Sequence, residues 1–207
     1  MSIQKNLINQ SIKPEGIIGK IMLKIMNNAH KAIFKLGINN INILENCKFL
    51  DIGFGGGMAL KTLSQKFNNI ELFGIDFSDE ALKAAEKNNT KDIESGKIKL
   101  YKADIEKMPF SNNFFDVITA FQTHYYWQNF ENKIKEIYRI LNENGQFIII
   151  AEKYKINYHM KNFNTEDEIK KVFINIGFTQ IKYEEIKNNV LIKGIKFVNN
   201  SVRYNGT

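Results

Sequence analysis

A single cysteine, Cys47, stands in the 207 residues, so the chain cannot close a disulfide on itself or build a cysteine-rich zinc site. A reducing compartment fits that scarcity. Proline is nearly as rare: Pro14 and Pro109 are the only two, and they are far apart. No stretch approaches the roughly 18 apolar residues that a membrane helix needs. The start, MSIQKNLINQSIK, has no apolar signal-peptide core. The reading is a soluble, cytoplasmic protein that spans no membrane. Arginine is also scarce, with Arg139 and Arg203 alone among 29 Lys and Arg residues. The formal charge of +7 therefore rests on lysine, which lacks the planar fork favoured in nucleic-acid contacts. Lys, Asn and Ile share A/T-rich codons, so genomic base composition is the favoured source of this charge. Nucleic-acid binding is left as the less favoured alternative.

What is present is a chain 43% hydrophobic, long enough for one substantial core and short for two. After Pro14, Ile18, Met22, Ile25, Ala29 and Ile33 recur at helical spacing, and Gly37 reads as the helix end. Short β-rich runs then alternate with amphipathic helices. The strands are read as Lys48 to Ile52, Ile70 to Ile75, Ile98 to Tyr101, Phe115 to Phe121 and Gln146 to Ala151. The helices are read as Met58 to Phe67, Ser78 to Lys87 and Phe130 to Leu141. The first, second and fourth strand runs are apolar on both alternations, as strands covered on both faces require. Ser78 is a plausible N-cap, and Thr165 with Glu168 forms a capping box before a helix that Gly177 stops. Two last runs, Phe178 to Ile186 and Val190 to Val198, meet at Asn188-Asn189 as a hairpin. The pattern predicts an α/β fold: a mostly parallel sheet of about seven strands, helices on both faces, and an antiparallel hairpin at the end.

The densest local signal is FLDIGFGGGMAL, an apolar strand running through Asp51 into Gly53, Gly55, Gly56 and Gly57 and then a helix. Glycines at such a turn let the backbone approach a nucleotide closely. The dinucleotide fingerprint begun at Gly53 and Gly55 requires a third small residue at position 58, where Met58 stands. That opposes a nicotinamide-dependent oxidoreductase. The second strand ends in Asp76, about 20 residues past the last glycine, where a carboxylate can accept ribose hydroxyls.

Asp51-x-Gly53-x-Gly55-x-Gly57, Asp76, and then IKLYKADIEKMPFSNNFFDVITA and YRILNENGQFIII together resemble the class I S-adenosylmethionine-dependent methyltransferases, from about Lys48 to Glu152. The resemblance implies a doubly wound, Rossmann-like core over residues 46–207 with a helical cap over 1–45, the whole forming one domain. It implies S-adenosylmethionine as cofactor and S-adenosylhomocysteine as product. Asp51, Gly53, Phe54, Gly55 and Gly57 would surround the methionine end, and Asp76 the ribose. Asp104 would meet the adenine amino group, with Phe77, Ile105 and Phe121 completing the pocket. Phe54 departs from the family, which often has Cys or Ser there. Asp116 is read as structural.

The acceptor is expected beyond the carboxyl ends of the strands, near FQTHYYWQNF. His124 is the candidate base, and Tyr125, Tyr126 and Trp127 are candidate walls for a small-molecule acceptor or a cation. The absence of Pro-Pro disfavours amino-directed DNA methylation, and the position of Cys47 before the first strand disfavours carbon-5 pyrimidine methylation. Gln122, Thr123 and His124 stand where catechol-type enzymes need carboxylates, so no metal is expected. The leading reading is a small-molecule methyltransferase, with RNA or ribosome-associated methylation as the alternative. The stripe Ile18, Met22, Ile25 and Met26 is read as a lid over the cofactor or a docked core helix.

Overall fold

The computed structural model describes residues 30–197, together with Gly16 and Ile21. Apart from Ile21, the expected lid over Ile17 to Ala29 lies outside the described residues, as does Val198 at the end of the last strand run. The described elements run as α1 (Lys31–Asn39), β1 (Cys47–Ile52), α2 (Met58–Lys66), β2 (Ile70–Asp76), α3 (Asp79–Asn88), α4 (Thr90–Glu94) and β3 (Ile98–Lys102). There follow β4 (Phe115–Phe121), a 3-10 turn (His124–Tyr126), α5 (Phe130–Ile140), β5 (Leu141–Glu152), α6 (Lys153–His159), α7 (Glu166–Ile176), β6 (Phe178–Ile186) and β7 (Asn189–Lys196).

The seven strands form one sheet in the order β3-β2-β1-β4-β5-β7-β6. β1 to β5 pair in parallel, and β7 pairs antiparallel with both β5 and β6. This is the Rossmann-like architecture with an antiparallel edge. β1, β2 and β4 are buried nearly end to end, because each is covered by helices on both faces. One face carries α1, α2 and α3 through Ile33, Phe34, Leu60, Leu63, Ala81 and Ala85 over Phe49, Leu72 and Val117. The other carries α5 and α7 through Ile134, Ile137, Ile169 and Phe173 over Leu50, Phe73 and Ile118. Burying each such aliphatic side chain contributes roughly 1.5–3 kcal/mol.

Local signals place the starts of α3 and α7 as read. The Ser78 hydroxyl accepts from Ala81 N–H at 3.3 Å, with Asp79 and Glu80 in the first turn. Thr165 and Glu168 form the reciprocal capping box of α7, and Gly177 ends it at φ 114°. Two readings change. Gly37 does not end α1, which continues to Asn39; its missing side chain lets the helix press on the sheet, since a Cβ would lie 2.2 Å from Phe121 Cε1. β5 begins at Leu141 rather than Gln146, because Leu141 pairs with Phe115 across an irregularity before the regular register resumes at Gln146. Helices α4 and α6 were not read from the sequence.

Chain direction across the sheet reverses between β1 and β4. In an open α/β sheet that reversal opens a crevice at the carboxyl ends of the strands.

Candidate functional site

A cleft of about 410 Å³ lies at this crevice. Its floor is the glycine turn after β1. Gly53 has φ 71° and Gly55 φ 52°, values that side chains rarely adopt. A Cβ at Gly53 would also come within 2.6 Å of Thr123 Oγ1, so this position is glycine for two independent reasons. Phe54, the departure from the family, does not crowd the turn. Its ring lies against Gly74 of β2, where a Cβ would stand 2.6 Å from Phe54 Cδ1, and the side chain is buried among the α2 and β2 apolar residues.

Asp76, at the end of β2, is buried and organises the turn. Its Oδ2 accepts from Gly55 N–H at 2.9 Å and its Oδ1 from Ser78 N–H at 3.0 Å. Burial pushes its pKa up, while the Ser78, Gly55 and Phe77 amides oppose the rise. With three amides on it, the carboxylate keeps one of its roughly four acceptor sites. Asp51, at the end of β1, is also buried and accepts from the Thr119 hydroxyl at 3.0 Å. Burial raises its pKa to about 7, against the Thr119 hydrogen bond and helped by the charge of Asp76. Both carboxyls line the cleft.

Phe77, Asp104 and Ile105 line its next stretch. Asp104 is exposed, and its Oδ1 accepts from Glu106 N–H at 2.9 Å. Opposite stands Lys133, whose side chain is only 8% exposed and whose Nζ is 3.2 Å from Glu106 Oε1 and 3.8 Å from Asp104 Oδ1. The far end of the cleft is aromatic, with Phe34, Phe121, Tyr126 and Trp127 around Gln122 and His30.

Three sequence candidates do not line the cleft. Gly57 caps α2 at φ 73° and packs against α3, where a Cβ would stand 2.6 Å from Asn89 Nδ2. His124 is fully buried among Tyr125, Trp127 and Phe130. Neither of its ring nitrogens has a hydrogen-bond partner, and burial drops its pKa to about 3. Tyr125 is buried and donates its hydroxyl to Gln122 Oε1 at 3.2 Å.

Several cleft residues were missed, His30, Lys133 and Gln122 among them. His30 is buried, accepts at Nε2 from Lys155 Nζ at 3.3 Å, and is lowered to about 4 by burial and the Lys155 charge. Lys133 was legible: a lysine in helical register with Ile137 and Ile140 is a cation on an apolar face. Gln122 was not, since its left-handed φ of 56° has no sequence signature. Among the described residues, no group of three or more His, Cys, Asp or Glu is placed to hold a metal ion. No helix among them is long and apolar enough to cross a membrane.

The sheet order, the glycine turn and the paired carboxyls fit a class I, S-adenosylmethionine-dependent methyltransferase domain. Residues 50–149 match the family model of the methyltransferase domain. The chain is 26% identical over 128 residues to the uncharacterized methyltransferase YdaC of Bacillus subtilis, covering 62% of this chain and 68% of that one. It is 29% identical over 125 residues to a sterol 24-C-methyltransferase of Kluyveromyces lactis, covering 60% of this chain and 32% of that enzyme. The chain thus spans about two thirds of the bacterial relative and about a third of the sterol enzyme. A solved S-adenosylmethionine-dependent methyltransferase from Aquifex aeolicus superposes with a TM-score of 0.71 at 17% identity, covering 86% of this chain and 98% of that one.

Proposed function

We propose that the protein transfers the methyl group of S-adenosylmethionine to a small molecule. The observation that carries this is the continuity of the cleft from the glycine turn and Asp76 to the aromatic end at Tyr126 and Trp127, which gives one cavity a nucleotide end and an apolar end. The residues fit the cofactor. Gly53 and Gly55 leave backbone where side chains would block it, and Asp76 would offer its remaining acceptor site to a ribose hydroxyl. Among the described residues Asp51 is a buried carboxyl with no ion pair, and the cofactor's ammonium group would supply one. Asp104 would meet the amino edge of the base, with Phe77 and Ile105 as apolar walls; Phe121, expected there from the sequence, stands instead beside Phe34 at the aromatic end.

When bound, S-adenosylmethionine supplies a methyl group on a sulfonium, which departs as a neutral thioether. The chain's work is then mainly orientation, and holding two reactants in line is worth an effective molarity on the order of 10⁵ M or more. His124 is not the base in this reading, because a fully buried imidazole held neutral has no access to a substrate proton. Tyr126 and Trp127 wall the acceptor end, while Tyr125 acts behind it.

Calorimetric titration with S-adenosylhomocysteine tests the cofactor half; no binding at millimolar ligand sinks it. The acceptor half is tested by incubating the protein and tritiated S-adenosylmethionine with a cell extract. Label is expected in the fraction that passes a small-pore filter, and label confined to RNA or protein would reject the small-molecule reading.

A further inference from the structure

The amide of Gln122 is the most conspicuous unfinished polar group in the cleft. The residue is 3% exposed, follows β4 directly, and its backbone N–H is anchored on Ile150 O at 2.9 Å. Its Oε1 accepts twice, from the Tyr125 hydroxyl at 3.2 Å and from Glu152 N–H at 3.3 Å. A backbone N–H can only donate, so it fixes which end of the amide is oxygen. The other end, Nε2, is buried with no hydrogen-bond partner. A buried donor left unmade is costly, so its two N–H groups call for an oxygen.

Sheet order says which reactant brings that oxygen. Asp51 and Asp76 end β1 and β2, whereas Gln122 is pinned to the end of β5, across β4 from the glycine turn. Around it the cleft is walled by Phe34, Phe121, Tyr126 and Trp127. The charged groups near that end are already matched: Lys133 by Glu106, and Lys155, behind His30, by Glu152. We propose that Gln122 is the specificity anchor of the acceptor site, and that the acceptor is an uncharged, ring-bearing molecule whose hydroxyl or carbonyl oxygen receives Gln122 Nε2–H. This rests on the methyltransferase reading above and adds the substrate class.

The test uses the full chain saturated with S-adenosylhomocysteine and two probes of nearly equal size, 1-naphthol and 1-methylnaphthalene. Calorimetry is expected to show naphthol binding about tenfold or more tighter, the penalty of leaving a buried donor unpaired, and Gln122→Leu is expected to erase that preference while S-adenosylhomocysteine affinity holds. In the wild type, the ¹⁵N-resolved Gln122 side-chain amide should shift when naphthol is added to the loaded protein and not with S-adenosylhomocysteine alone. This readout needs no variant to fold. Equal affinity for the two probes, a preference that survives Gln122→Leu, or an amide already shifted by S-adenosylhomocysteine would each overturn the proposal, the last by giving the donor to the cofactor carboxylate. Failure to bind S-adenosylhomocysteine would instead sink the methyltransferase reading itself.

Discussion

Asp51 sets a conflict between stability and binding within one side chain. Its carboxyl is raised from 3.8 to about 7 in the folded chain, so the folded state holds more protons than the unfolded state between those values, and its contribution to stability declines as pH rises through that window. Asp51→Asn is expected to raise the melting temperature at about pH 7.5, a gain made at the expense of function. A cationic ligand needs the ionised form, so S-adenosylhomocysteine affinity should climb about tenfold per unit from about pH 5.5 to pH 6.5 and level off above 7. Calorimetry across that range checks it, and a slope that persists in Asp51→Asn would remove Asp51 from the site. Asp76→Ala is expected to weaken binding by roughly 1.5–3 kcal/mol for each ribose hydrogen bond lost. It also frees Gly55 N–H and Ser78 N–H, so Asp76→Asn, which keeps an acceptor oxygen, should lose less. The acidic and glycine positions of this site were legible because their spacing is set by the backbone. Phe54 was legible as an oddity only, since its accommodation depends on Gly74, twenty residues away in sequence and on a neighbouring strand.

At the level of elements, α5 does more than cover the sheet. Glu136 accepts from Met108 N–H at 2.9 Å, and Arg139 holds both Glu136 and the carbonyl of Phe110. Lys133 reaches Glu106 from the same helix. The segment between β3 and β4, with Asp104 and Ile105 at the cleft, is thus fastened by charged residues of one helix face. The far end of α5 is fastened in turn. Lys196 of β7 is 7% exposed and donates to Asn113 Oδ1 at 2.8 Å, Tyr138 O at 2.7 Å and Leu141 O at 2.9 Å. A cation among the last carbonyls of a helix is favourable. Lys196→Met is expected to destabilise the protein by about 1–3 kcal/mol by leaving those oxygens unpaired, read as a lower urea midpoint with unchanged S-adenosylhomocysteine affinity. A midpoint within error of the wild type would show that the oxygens find other donors. Apolar periodicity and caps announced the helices and strands, but not these cross-links, because Lys196 and Tyr138 are 58 positions apart. For the same reason Gly37 looked like a stop: a glycine that ends a helix and one that lets a helix touch a sheet are identical in sequence, and only Phe121 distinguishes them.

On the scale of the molecule, the question is what the +7 charge does. Proteins that track a phosphate backbone gather cations along one face, and each contact releases counterions, so making six to ten such contacts costs about 10³–10⁵ in affinity between about 50 and 200 mM salt. Several of the described lysines are instead held in ion pairs. Lys99 pairs with Glu71 and Lys102 with Asp79 at the β3 edge, Lys153 with Glu185 beside the hairpin, and Lys170 with Glu166 on α7. Arg139, the one arginine among the described residues, is committed to Glu136 and to main-chain oxygens. The cleft itself carries Asp51, Asp76, Asp104 and Glu106 against Lys133, which repels a phosphate chain rather than guiding it in. Cations held in such pairs, and a cleft of mostly acidic groups, count against a polyanion groove. We therefore expect a fluorescein-labelled RNA stem-loop, followed by anisotropy, to lose less than about tenfold in affinity between about 50 and 200 mM KCl, the response of one or two contacts. A loss of about 10³ would mean that a phosphate-binding face exists, and would move RNA ahead of a small molecule as the methyl acceptor.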